Sequence, residues 1–361
     1  MIVIHIGMPK AGSTTIQHFL RDNEEALRRL SIDYPMAGRE NVDRQLHHGF
    51  IKNEMSGRSS SRIGAHDSMD RLIDGIATGG RDTVILSCET FFQQSQDAIA
   101  RLMRMLSRAT AEFRIILIIR DPIEALPSAY SQGAKYGSRT FDFDSFFSKR
   151  AGKHYRTNFE IAERWASIFG WQAMCVRLLD TATLVGGDLI TDFMFSAGLE
   201  KQAEKLASLP RPPRANENPG WKTVEAIRAV FGGQSGLKKD HALLREALPR
   251  KRLERREFGL LAQEVAREFG WDKERGLYLT ADQAIQLSDT FDCSLRLLNE
   301  KLSEKLPDPV RFQEREFVAR RFLPDVSCID PDELHAFYGE WGARLAIRQT
   351  DREVKNKPQP E

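Results

Sequence analysis

Near the amino terminus, Gly7-Met-Pro-Lys10-Ala11-Gly12-Ser13-Thr14-Thr15 combines glycines, hydroxyls and one lysine in a pattern suited to holding an anion. Small residues let the backbone turn so that successive N–H groups face inward. A helix starting at such a turn adds the positive end of its dipole. Ser13, Thr14 and Thr15 bring hydroxyl donors and Lys10 brings a full charge. The ATP-binding pattern G-x-x-x-x-G-K-[ST] puts its lysine after the glycine. Here the lysine comes first, and none stands where an ATPase needs one for its terminal phosphates.

A second group, Ile119-Arg120-Asp121-Pro122 followed by Ser128-Ala129-Tyr130, closes the most apolar run of the chain. An arginine there stands at the carboxyl edge of a strand, where open α/β sheets bind their ligands. A guanidinium fork with a nearby hydroxyl suits a phosphate monoester.

Pro9-Lys10-Ala11-Gly12-Ser13-Thr14-Thr15 resembles the 5′-phosphosulfate loop of sulfotransferases that use 3′-phosphoadenosine 5′-phosphosulfate (PAPS). Arg120-Asp121-Pro122 with Ser128 resembles their 3′-phosphate site. The likeness covers about residues 1–200 well and 214–302 loosely. Its weaker landmarks, those of a bacterial sulfotransferase-domain group, are Tyr34-Pro35, His47-His48, Leu86-Ser-Cys-Glu89, Ser131-Gln132, Trp165 to Gly170 and Arg214-Ala-Asn216. The R-K-G-x-x-G loop that holds the 3′-phosphate in animal cytosolic sulfotransferases is absent. The resemblance implies PAPS binding by Lys10, Ala11, Gly12, Ser13, Thr14, Thr15, Arg120 and Ser128, with adenosine 3′,5′-bisphosphate as the product. No metal is expected, and no acidic pair is evident to hold one.

Sulfuryl transfer, like phosphoryl transfer, rests on positioning and electrostatics. Lys10 is placed to meet charge developing on the leaving phosphate. Two candidates stand for the base. Glu89 follows the run Leu86-Ser87-Cys88, read as the middle of three strong strands, lying between those that bear Lys10 and Arg120. A partly buried carboxylate there reads as a general base with a raised pKa, or else as a strand-end helix cap or an ion-pair partner of Arg120; a histidine follows the comparable strand in animal cytosolic sulfotransferases. His47 and His48 form the other candidate, His48 also serving acceptor binding.

The elements that must position these residues read as strands alternating with helices. Ile2–Ile6, Thr83–Ser87 and Phe113–Ile119 are continuous apolar runs, and Ala173–Leu178 is a weaker one. Such runs occupy parallel sheets covered on both faces. Ile16, Phe19, Leu20, Leu27 and Leu30 share one helical face after the first strand. The fold class expected is α/β: a P-loop-type parallel sheet flanked by helices, with a mainly helical C-terminal part. Helices are expected over Trp221–Phe231, His241–Ala247, Arg252–Phe269 and Ala281–Leu302. Phe141, Phe143, Phe146 and Phe147 read as packing a helix or lid against the sheet. The division expected is a PAPS-binding core over 1–205, a helical continuation over 206–305, a C-terminal extension over 306–349 and a disordered tail over 350–361.

Lys+Arg 53 against Asp+Glu 51 leaves a net charge of +2, which argues against a dedicated nucleic-acid binder. Four scattered cysteines without a CxxC pair offer neither a disulfide framework nor a zinc site. No apolar run approaches the roughly 20 residues that span a bilayer, and the start carries no leader pattern. A cytoplasmic enzyme acting on a small-molecule or glycan acceptor is the expectation. Two other functions compete: a P-loop small-molecule kinase, with Glu89 imitating the acid that follows a nucleotide-binding strand, and a non-catalytic adaptor that binds an anionic polymer. The basic stretch Lys238–Arg256 reads as a solvated helical face or as a collar for such an anion.

Overall fold

A computed structural model of the chain describes residues 1–39, 46–57, 65–138, 140–150, 158–212, 219–232, 244, 252–274, 276, 278–305 and 329–355. Five strands form one all-parallel sheet: β1 (Ile2–His5), β2 (Ile32–Asp33), β3 (Thr83–Ser87), β4 (Phe113–Ile119) and β5 (Met174–Leu178), in the order β2-β3-β1-β4-β5. β1, β3 and the last five residues of β4 are buried throughout. That burial is why their sequences lack polar alternation. β2 has two residues, too few to leave a pattern. β1, not β3, is the middle strand of the three that carry the candidate residues.

The helices are, in chain order, α1 (Ser13–Asp22), α2 (Glu24–Arg29), α3 (Gly49–Met55), α4 (Ala65–Thr78), α5 (Gln96–Leu106), α6 (Pro122–Lys135) and α7 (Phe143–Arg150). They continue as α8 (Asn158–Phe169), α9 (Leu189–Ser196), α10 (Ala203–Ala207), α11 (Trp221–Gly232), α12 (Arg252–Glu268), α13 (Ala281–Lys305) and α14 (Pro331–Lys355). The single helical face read after β1 is two helices. Asn23 interrupts it, its side-chain amide donating to the carbonyls of Phe19 (2.9 Å) and Pro210 (3.1 Å). α8 stops at Gly170, which takes φ 83°. α14 runs to Lys355, so the tail read from 350 is helical over its first residues. His241–Ala247 lies, apart from Leu244, outside the described residues, as do Arg214, Asn216, 306–328, 356–361 and most of the basic stretch 238–256.

The chain forms two compact units whose segments interleave. The first contains Met1–Ala125, His154–Ala215 and Ser288–Glu316; the second contains Leu126–Lys153, Asn216–Leu287 and Phe317–Glu361. This division differs from a boundary near 205. Phe291, Leu295, Leu298 and Leu302 of α13 are buried in the same core as the sheet, which draws the end of that helix into the first unit. In the second unit, Tyr130 packs with Phe143, Phe146 and Tyr278, ring centroids 5.1–5.6 Å apart. Phe143, Phe146 and Phe147 are thus buried inside the second unit, around Tyr130.

One ion pair fixes the last strand. Asp192 of α9 is fully buried and accepts from Arg177 of β5, Nε to Oδ2 at 3.0 Å, while the Val185 amide donates to Oδ1 at 3.0 Å. Removing one member of such a pair leaves an uncompensated buried charge. Asp192→Ala should therefore destabilise the protein by about 3–5 kcal/mol in urea unfolding. A loss below about 1 kcal/mol would show that the pair does not hold β5 to α9.

Candidate functional site

β4 outruns β1. Their register pairs His5 with Ile116, leaving three further strand residues before Arg120. Arg120 therefore stands beyond the end of β1, level with the loop that leaves it. The loop turns on three left-handed residues, Gly7 (φ 52°), Lys10 (φ 66°) and Gly12 (φ 81°). A Cβ on Gly7 would lie 2.8 Å from the Glu89 Cα, and one on Gly12 would lie 2.2 Å from the Leu189 Cδ2. Gly7 is demanded by space as well as by φ, since the close atom is backbone; at Gly12 the demand comes from φ, because the Leu189 tip can move.

Lys10 is the one non-glycine among them, and its conformation is uncommon for such a residue. Arg120 holds it there: Nη1 donates to the Lys10 carbonyl at 2.9 Å. The other side of the guanidinium faces Glu124, with Nε and Nη2 donating to Oε2 at 3.3 and 3.1 Å. Asp121 and Pro122 start α6 for local reasons. Asp121 Oδ1 accepts from the Ile123 amide at 2.8 Å, and proline suits the first helical position.

α1 begins at Gly12 with no side-chain cap and no acid in its first turn. Its first turn thus points amides and the positive end of the dipole toward the loop with no acid of its own. Ser13 Oγ is buried and has no hydrogen-bond partner among the described residues. A buried hydroxyl of that kind is rare unless a water or ligand answers it. Thr14 and Thr15 are half-buried, and Ala11 is fully buried and contributes backbone alone. The Thr15 and Ile16 amides are used inside the turn, both donating to the Gly12 carbonyl.

Glu89 opens a short 3-10 turn, Glu89–Gln93, two residues past β3. The turn is stitched to β1 by Cys88 N–H to His5 O at 3.2 Å and Phe92 N–H to Ile6 O at 3.1 Å. Glu89 is half-buried. Burial raises its carboxyl pKa, while the Lys10 charge pulls it back. Lys10, Glu89 and Arg120 thus come together at the carboxyl ends of β1, β3 and β4. Ser128 is buried eight residues along, in the part of α6 that belongs to the second unit.

His48 is not available as a base. It is fully buried, its Nδ1 accepts from the Ser87 amide at 3.1 Å, and its Nε2–H donates to the Pro35 carbonyl at 3.0 Å. Burial first, and Arg39 next, lower its pKa to about 3. Tyr34-Pro35 and His48 are therefore parts of one structural clasp. Arg39 completes it, donating to the carbonyls of Pro35 and Tyr34 at 2.9 and 3.0 Å. His47 is half-buried beside Gly49. Cys88 is a buried thiol whose pKa burial raises, as befits an inert small residue.

Four residues of the site escaped the sequence reading. His5 Nδ1 and the Ser87 hydroxyl share a 2.8 Å hydrogen bond, and Gln17 Nε2 donates to the same hydroxyl at 3.1 Å. This trio ties β1, β3 and α1 together directly below the loop. Polar residues closing two apolar strands were the available signal. Glu124 is the fourth, and its spacing of four from Arg120 on a helix was legible.

Comparison with protein-family models, characterised proteins and solved structures finds no match to this chain. The site therefore rests on its own geometry. Among the described residues no cluster of His, Cys, Asp or Glu is arranged to hold a metal ion, and no helix is long and apolar enough to cross a membrane.

The two buried histidines set an acid limit on the fold. Burial lowers His5 to about 4, as it lowers His48 to about 3, so both stay neutral in the folded protein. The unfolded chain takes up their protons below about 6.5, so stability falls as pH drops through that value. Each should cost about 1.4 kcal/mol for every pH unit lost below 6.5. Urea unfolding at pH 7 and pH 5.5 should differ by about 3 kcal/mol from this pair. A stability that stays level over that interval would mean that both rings accept protons in place.

Proposed function

We propose that this protein is a sulfotransferase that moves a sulfuryl group from PAPS to a hydroxyl or amine on a small-molecule or glycan acceptor. The observation that carries the reading is the convergence of Lys10, Glu89 and Arg120 on one glycine-shaped loop at the carboxyl edge of a parallel sheet. On this reading the loop is of the P-loop type. The first amides of α1 and the unanswered Ser13 Oγ receive the 5′-phosphosulfate.

Arg120 receives the 3′-phosphate on the side that now faces Glu124. The Glu124 contact is an exposed i,i+4 pair, worth about 0.3–0.5 kcal/mol. A charge-assisted hydrogen bond to phosphate contributes about 1.5–3 kcal/mol, enough to displace it. Arg120 keeps its third contact, to the Lys10 carbonyl, and so links donor binding to the shape of the loop.

The acceptor oxygen or nitrogen attacks sulfur as the bond from sulfur to the bridging phosphate oxygen breaks. The electron pair leaves on the phosphate, where the Lys10 ammonium and the loop amides meet it. The acceptor proton goes to Glu89, whose raised pKa suits a base working near neutral pH. With the His48 ring fully engaged, Glu89 is the stronger of the two candidates.

Adenosine 3′,5′-bisphosphate should raise the midpoint of thermal unfolding, and labelled PAPS with a panel of carbohydrate, lipid and phenolic acceptors should yield a labelled sulfate product. Lys10→Ala should lower turnover by about 2.7–4 kcal/mol in barrier, the cost of losing a strong oxyanion donor, while leaving most nucleotide affinity. Protection by ATP alone would overturn the reading in favour of a kinase.

Glu89→Gln keeps shape and removes the proton acceptor. It should bind the nucleotide normally and lose roughly 10²–10⁴-fold in rate. The acidic limb of the pH–rate profile should vanish with it. Survival of that limb would assign the base elsewhere, with His47 the next residue to replace.

A further inference from the structure

The second unit contains a cluster of cations that none of the foregoing uses. Lys135, the last residue of α6, is only 9% exposed. α12 packs tightly against it: a Cβ on Gly259 would lie 1.9 Å from the Lys135 carbonyl oxygen. Arg256 and Arg267 share a helical stripe with Gly259 and Gln263, at spacings of three and four residues. The Tyr136 ring brings two of the cations together, with Lys135 Nζ 5.5 Å and Arg256 Cζ 5.6 Å from its centroid.

No carboxylate among the described residues pairs with Lys135, Arg256 or Arg267, and Lys135 Nζ has no hydrogen-bond acceptor among them. Two acids of α12 turn elsewhere. Glu264 accepts from Arg348 and Glu268 from Arg344, both on α14 and about a quarter-turn round the helix from the basic stripe. Burial, then Arg267 and Arg256, hold the Lys135 pKa below that of an ordinary lysine. The stem of Lys135 is buried while its ammonium reaches the surface beside like charges, an arrangement that a ligand of opposite charge relieves.

We propose that Lys135 and Arg256, gathered at the Tyr136 ring, form a binding site for an oxyanion, taking a sulfate, phosphate or carboxylate group, with Arg267 about three turns further along α12 adding to the positive field. The Arg256 guanidinium fork supplies paired donors to its oxygens and the lysine supplies a point charge. While no anion is bound, the Tyr136 ring face partly screens two of the cations from each other. All of these residues belong to the second unit, so the site stands whether or not the first unit transfers sulfuryl groups.

The test uses the full chain labelled with [ε-¹³C]lysine, the Lys135 resonance being assigned by its loss in Lys135→Arg. Sodium sulfate should shift that resonance saturably at ionic strength held constant with chloride. Arg256→Gln should weaken the response roughly tenfold or more, the effect of one charge-assisted contact. Lys10→Ala should leave it unchanged, which separates this site from the loop in the first unit. A sulfated monosaccharide that binds more tightly than inorganic sulfate would mark the anion as part of a larger ligand, and equal binding would mark it as the free ion. A Lys135 resonance that follows ionic strength alone, or a response unaltered in Arg256→Gln, would overturn the site.

Discussion

The candidate site depends on one hydrogen bond, from Arg120 Nη1 to the carbonyl of Lys10. It joins the end of β4 to the loop leaving β1 and holds a lysine in a left-handed conformation that its side chain disfavours. The strand register makes the bond possible. With His5 opposite Ile116, the extra residues of β4 carry Arg120 past the end of β1, up to the loop. On the other side, Gly7 lets the Glu89 backbone approach to a distance no Cβ allows. The loop is thus clamped between the two neighbouring strands, and the groups with chemistry sit on the clamps.

Much of this was legible in the residues. Continuous apolar runs announced β1, β3 and β4, and the small residues around Lys10 announced a tight strand-to-helix turn, because both signals are local. Sheet order was not legible. The runs at 83–87 and 2–5 look alike, and nothing in either says which lies between its neighbours; β1 does. His48 was misread for a related reason. An imidazole beside another histidine suggests a titrating pair, but its partners, Pro35 and Ser87, lie 13 and 39 residues away and remove both nitrogens from chemistry. The divided core was hidden too, since α13 reads as one amphipathic helix although its later residues join the sheet's core.

The support beneath the loop contains the two histidines that set the acid limit of the fold. His5, Ser87 and Gln17 form a buried polar trio around an imidazole that burial keeps neutral. The His48 clasp obeys the same condition beside it, through Ser87 itself. A proton on either ring would put a charge into a buried region, so the acid sensitivity of the fold acts on the residues that support the loop.

The ionisable groups buried in this protein fall into two kinds, and the contrast bears on function. Asp192 is matched by Arg177, Glu225 by Arg228, and Arg39 by Glu24 and two carbonyls; each of these charges is answered inside the fold. Glu89 and Lys135 are different. Glu89 feels Lys10 too weakly to cancel its desolvation, and among the described residues no carboxylate pairs with Lys135. Structural ion pairs need no outside partner to offset the cost of burial, whereas a half-answered carboxylate and an unanswered ammonium do. One lies at the carboxyl edge of the sheet in the first unit and the other at a helix end in the second. At both, the described residues leave a charge without a full counter-charge.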